Sequence, residues 1–167
     1  MSKRPKQDVP QPEACREAAL RLLDRKPHST ADLRRKLYQR KFPKHVIDPL
    51  INDLARVGLL DDLALARSHC ENRLYASPPL GRRRVLQELH RHGIPQEIAE
   101  QALGEIWDSQ ERDDRLGRAQ EAARRKLRLL RNDEEPRRKR DKLYRYLVGR
   151  GFDPEIIRDA VDTVIND

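Results

Sequence analysis

Aliphatic positions recur in the same order three times along this chain. A leucine stands five residues ahead of a bulky apolar residue, and a polar stretch then leads into a second run of spaced aliphatics. The series reads Leu37, Phe42, Val46, Leu50 and Leu54; then Leu89, Ile94, Ile98, Ala102 and Ile106; then Leu147, Phe152, Ile156, Ala160 and Val164. A further apolar residue four positions before each leucine (Leu33, Val85, Leu143) carries each stripe back by one helical turn. The leucines lie 52 and 58 residues apart, so each unit is the length of a small helical bundle. A unit of about 50 residues buries too little apolar surface to be stable by itself, and neighbours are expected to stack into an elongated, curved array.

The punctuation between stripes predicts three helices per unit. An Ala/Leu pattern from Glu13 gives a first helix that ends near Lys26-Pro27, because the residue before proline resists helical geometry. Ser29 offers an N-cap with Asp32 in the acidic position of a capping box, and the helix runs to about Arg40. Pro43 opens a third helix that stops at Gly58. The second unit starts at the cap residues Asp61-Asp62, breaks at Ser77-Pro78-Pro79, resumes from Leu80 to His92 before Gly93, and ends with a helix from Pro95 to about Trp107. The third has a longer first helix, 112–131, a break from Asn132 to Pro136, a helix ending at Gly149 or Gly151, and a last one capped by Asp153-Pro154. No useful period-two alternation appears, so the expected class is all-α: three tandem three-helix repeats at 13–60, 61–108 and 109–167, behind a flexible basic tail at 1–12.

Charge adds a partner class to this picture. Charged residues make up 38% of the chain and aromatics only 4%, so the cores must be thin, and the net charge of +8 attracts polyanions or acidic protein surfaces. The two cysteines, Cys15 and Cys70, form no CxxC pair and have no histidine cluster at metal-ligand spacing, which points to neither a disulfide scaffold nor a zinc site. The N-terminus lacks the apolar core of a signal peptide and no later run is long and apolar enough to span a bilayer, so a soluble cytoplasmic protein is expected.

Catalytic chemistry is poorly represented. There is no phosphate-cradling glycine loop, GxSxG elbow or HExxH pair, and the five histidines are scattered; no catalytic residue, cofactor or metal is expected. Asp61-Asp62 are read as a helix cap rather than as metal ligands. Basic clusters near the starts of the middle helices carry more information: Arg34, Arg35 and Lys36; Arg82, Arg83 and Arg84; Arg137, Arg138, Lys139 and Arg140. Arginine near a helix N-terminus works against the helix dipole, so recognition of phosphate or carboxylate is one reading, and an ordinary solvated face is the other. Tyr38, Tyr75, Tyr144 and Tyr146 are expected to pack against or edge the repeats, which leaves few platforms for stacking on bases.

The stretch from Gly58 through Asp61, Asp62, Ala64, Ala66 and Arg67, continuing through Glu71, Asn72 and Arg73 to Gly81-Arg82-Arg83-Arg84, Glu88-Leu89 and Gly93-Ile94, resembles the RecX family of recombination regulators. Two departures stand out: Leu65 and His69 replace large aromatics, and Lys41 replaces the glycine found at Gly93 and Gly151. The resemblance implies a non-enzymatic protein that lies in the groove of RecA recombinase filaments on single-stranded DNA and inhibits ATP hydrolysis, strand exchange and filament growth. Direct contact with DNA would then be weak, sequence-independent and mainly single-stranded, and a capped array of this kind is expected as a monomer. Candidate contact residues are Arg34, Arg35, Arg73, Arg82, Arg83, Arg84, Arg137 and Arg138. Two alternatives stay open. A helix-turn-helix transcriptional regulator would use 29–60, with Lys44, His45, Asn52 and Arg56 as base readers. A structural adaptor for an unrelated acidic partner is the other.

Overall fold

A computed structural model describes residues 11–130 and 135–166. Among the described residues there are nine helices and no strand: α1 (Gln11–Arg25), α2 (Thr30–Gln39), α3 (Lys44–Arg56), α4 (Asp62–Leu74), α5 (Arg82–Arg91), α6 (Gln96–Ile106), α7 (Arg112–Leu127), α8 (Pro136–Gly149) and α9 (Pro154–Asn166). The protein is all-α, with the helices in three consecutive groups of three. Most of the expected tail lies outside the described residues, but Gln11 and Pro12 already belong to α1. Proline is accepted there because a first-turn N–H has no intrahelical acceptor. The break expected after α7 falls largely outside the described residues, and α7 itself stops at Leu127, four residues short of the expected Arg131.

The described chain forms two compact units, one reaching to Leu65 and including His92–Ile94, the other comprising Ala66–Arg91 and the residues from Pro95 onwards. In the first, α1 contributes Cys15, Ala19 and Leu22, α2 contributes Leu33 and Leu37, and α3 contributes Val46, Ile47, Leu50, Ile51 and Leu54. Burial raises both thiols above their ordinary pKa, Cys15 in this core and Cys70 in α4, the latter to about 11. In the second unit α7 turns three alanines, Ala119, Ala122 and Ala123, toward Leu143 and Leu147 of α8 and the aliphatic face of α9. Small side chains let helix axes approach closely, and α7 packs against both α8 and α9. The paired anchors Leu33/Leu37, Val85/Leu89 and Leu143/Leu147 are all buried, as the repeat requires. In α6 the centre of the buried stripe is Ala99, Ala102 and Leu103, and the expected core residues Ile98 and Ile106 flank it, partly exposed.

One structural device occurs in both units. Ser29 is the N-cap of α2: its Oγ accepts the Asp32 N–H at 3.0 Å and donates to the carbonyl of His92, in the turn after α5. Asp62 Oδ1 accepts the Thr30 N–H at 2.8 Å, satisfying another orphan donor of the same helix start, while Asp61 accepts the Ala64 N–H at 2.9 Å as the cap of α4. The start of α5 receives the turn after α8 in the same way: the Gly81 N–H donates to the Arg150 carbonyl at 2.8 Å and the Arg83 N–H to the Gly151 carbonyl at 3.1 Å. α5 begins at Arg82 rather than at the expected Leu80, and the Gly81 carbonyl just ahead of it accepts the Val85 N–H at 3.3 Å. Gly93 and Gly151 both have positive φ, +77° and +83°. A Cβ at Gly151 would lie 2.2 Å from the Arg84 nitrogen, and one at Gly93 would lie 2.9 Å from Ala31 Cβ. Lys41 holds the corresponding turn after α2 with φ 69°, and its side chain is exposed.

Candidate interaction surface

Each predicted contact arginine has a definite place, and the eight do not form one cluster. Arg34 and Arg35 belong to the first unit and the other six to the second. Nor are the three basic runs equivalent within their helices. Arg34–Lys36 lie in the second turn of α2, Arg82–Arg84 open α5, and the third run starts one residue into α8.

Their electrostatic roles differ as well. Arg82 is only 26% exposed and bridges Glu100 at 2.7 Å and Asp108 at 3.0 Å. Burial alone would lower its pKa, but hydrogen bonds and charge from these two carboxylates outweigh that and raise it. Arg73 and Arg84 converge on Glu88, at 2.8 and 3.7 Å, and His69 Nε2 approaches the same carboxylate at 3.1 Å. His69, where the family resemblance leads one to expect an aromatic, is therefore a half-buried partner within this network. Arg34 pairs with Asp48 at 3.2 Å, and Arg35 pairs with Asp32. The least engaged are Arg83, 67% exposed and 4.0 Å from Asp153, and Arg138, 75% exposed and 4.0 Å from Glu135. Arg137 is exposed in the first turn of α8.

Several functional or structural groups escaped the sequence reading. Arg118 stacks 4.3 Å over the ring centroid of Trp107 and donates to the Leu80 carbonyl at 2.8 Å; burial lowers its pKa, against the opposing charges of Asp114 and Glu121. No spacing rule joins residues 107, 118 and 80. Helix spacing pairs Glu88 with Arg84 and Arg91, but not with Arg73 and His69 of α4. The expectation for the tyrosines needs correction. Tyr146 packs against the third core, but Tyr38 is 65% exposed and Tyr75 is 84% exposed. Tyr38 follows the buried Leu37 by one position, and a step of one residue turns a side chain about 100° away from the core.

Beside Tyr38 lies a groove of about 340 Å³ between α2 and α3. Among the described residues, no group of His, Cys, Asp and Glu is placed to hold a metal ion, and no helix is long and apolar enough to cross a membrane.

Three family descriptions match successive parts of the chain: the RecX first three-helix domain over 15–54, the second over 61–103 and the third over 113–161. The chain belongs to the RecX family. It is 35% identical over 147 residues to the regulatory protein RecX of Prosthecochloris aestuarii, covering 88% of this chain and 91% of the relative. Its similarity to the RecX of Chlorobaculum tepidum is 34% over 149 residues, covering 89% and 87%. The crystal structure of RecX from Lactobacillus salivarius superposes with a TM-score of 0.80 at 23% identity, over 94% of this chain and 98% of that one. A second RecX crystal structure gives a TM-score of 0.81 at 22% identity, over 91% and 73%. At those identities the likeness shows the RecX fold alone. The relatives from Prosthecochloris aestuarii and Chlorobaculum tepidum are both named as regulatory proteins.

Proposed function

We propose that this RecX-family protein is a non-enzymatic, cytoplasmic regulator that acts as a monomer, binds recombinase filaments on single-stranded DNA and inhibits their ATP hydrolysis, strand exchange and growth. The observation that carries this reading is the match of all three RecX three-helix domains, in order, to one chain. Repeats of this kind gain affinity by adding modest contacts along their length. The net charge of +8 supplies attraction to an acidic protein surface or to DNA. Arg83, Arg137 and Arg138 are the strongest contact candidates because all three are exposed, and the ion pairs of Arg83 and Arg138 are long, at 4.0 Å each. Arg34, Arg35, Arg73 and Arg84 would contribute by exchanging an internal carboxylate for an external one.

The test is a titration of this protein into the cognate RecA recombinase hydrolysing ATP on single-stranded DNA, with naked DNA as the parallel binding control. Inhibition is expected at concentrations well below those that coat the naked DNA. Absence of inhibition, together with tight binding to one duplex sequence, would instead establish the helix-turn-helix reading.

A further inference from the structure

We propose that the groove between α2 and α3 is a docking seat for an acidic segment of the protein partner, one that presents an aliphatic or aromatic side chain next to carboxylates. This deepens the filament-regulator reading and rests on it, adding a place on the molecule and a chemistry of recognition.

The groove of about 340 Å³ is lined mainly by carbon, with Ala31 and Tyr38 from α2 and Ile47 from α3. Ile47 is buried and belongs to the core, so the floor is rigid, whereas Tyr38 is 65% exposed and the core of this unit makes no use of its ring. An exposed aromatic beside a preformed concave apolar surface, ringed by charge, is the usual composition of an interface anchor point.

The rim has one dominant sign. Arg34, Arg35 and Lys44 line it, against the single lining carboxylate of Asp48; Arg34 engages Asp48 at 3.2 Å and Arg35 engages Asp32, which leaves Lys44 as the available charge. Lys44 has no acidic partner among the described residues. It is also the first residue of α3, whose N-cap Pro43 makes no side-chain cap hydrogen bond. Its ammonium group and the first free N–H groups of α3 therefore present positive potential at the same end of the groove. A carboxylate satisfies that end while a neighbouring apolar side chain covers the ring of Tyr38.

A nucleic-acid strand fits these features less well. Tyr38 is the one aromatic among the residues lining the groove, where base-stacking surfaces offer several in series. An amphipathic segment laid into a groove between two helices is an established mode of peptide recognition, and this groove has its apolar floor and charged edges.

Tyr38→Ala and Lys44→Glu test the proposal one at a time, since both side chains are exposed and neither change touches the core. Inhibition of recombinase ATPase on single-stranded DNA and binding to the same DNA without recombinase are measured side by side, with unchanged melting midpoints as the control for folding. Each substitution is expected to raise the half-inhibitory concentration about tenfold, the scale of one anchor contact. Tyr38→Phe is expected to behave as wild type, and Tyr38→Ala is expected to leave naked-DNA binding unchanged. Inhibition that survives Tyr38→Ala overturns the seat while leaving the filament reading intact. An equal loss of naked-DNA binding by Tyr38→Ala overturns it in favour of a nucleotide occupant. A wild-type protein that does not inhibit overturns the filament reading itself, and this proposal with it.

Discussion

Asp32 shows how much one side chain can hold in a thin-cored protein. Its backbone N–H goes to the Ser29 hydroxyl, while its carboxylate takes His28 Nδ1 at 2.6 Å, Lys36 at 3.2 Å and Arg35. The acidic capping-box position was readable from the sequence, but a capping-box carboxylate would turn back to the Ser29 N–H, whereas this one turns to the buried His28. Spacing could not show this, because His28 precedes the helix and its burial depends on packing. Burial raises the Asp32 pKa, but hydrogen bonds from His28 and Lys36 and the charges of Lys36 and Arg35 more than offset it, leaving the pKa below its ordinary value. A lowered carboxylate pKa stabilises the fold above the unfolded value of about 3.9, and that stabilisation is lost as pH falls through the lower folded value. Asp32→Asn is therefore expected to cost about 1–3 kcal/mol at pH 7, with the gap from wild type narrowing steadily below about pH 4. Denaturant titrations at pH 7 and pH 3 check this; a gap of the same size at both would show that the charge of Asp32 contributes nothing.

Among the elements, the turns after the middle helices carry more than a stop signal. Gly93 and Gly151 were legible as helix ends, because glycine enters the left-handed region without a Cβ clash. Their second task was not legible, since the helix start that each turn meets lies roughly 60–70 residues earlier in the chain and no local pattern connects the two. A separation of 32 residues likewise hid the cap that Asp62 gives to Thr30. Gly151→Ala should therefore cost more than the ~1 kcal/mol of an ordinary left-handed glycine. Its Cβ would fall 2.2 Å from backbone, so the turn must move and the two hydrogen bonds from Gly81 and Arg83 must stretch, for a total of about 3 kcal/mol or more. Lys41 provides the control, since it has the same backbone conformation with an exposed side chain. Lys41→Gly is expected to stabilise the protein by about 0.5–1 kcal/mol. Equal and opposite effects at 41 and 151 in thermal unfolding would mean that only φ matters and that the close approach at Gly151 does not.

For the whole molecule, the net charge of +8 overstates uniformity, because arginines that look alike in sequence are in different electrostatic states. The repeat, the all-α class and the paired anchors were readable because apolar spacing directly reports which face is buried. The division of arginines into engaged and available ones was not, because it depends on carboxylates from other helices: Glu100 and Asp108 for Arg82, Glu88 for Arg73 and Arg84. A substitution across the whole 82–84 run would therefore mix a stability effect with a binding effect. The two separate if Arg82→Gln is compared with the triple change Arg83→Glu, Arg137→Glu and Arg138→Glu. Arg82→Gln leaves Glu100 and Asp108 without their shared cation, so its melting midpoint should fall while the salt dependence of filament binding stays that of wild type. The triple variant should melt like wild type, bind filaments at least tenfold more weakly at about 50 mM salt, and lose less affinity than wild type between about 50 and 200 mM. Each phosphate contact removed from a single strand flattens the log–log salt slope by about 0.7, so a reduction near 2 assigns these three arginines to DNA. A weakened variant with a smaller change in slope assigns them to carboxylates of the filament protein, where no condensed counterion layer is released. Binding and slope both unchanged would mean that these arginines only keep the surface solvated, and that the filament is engaged through other residues.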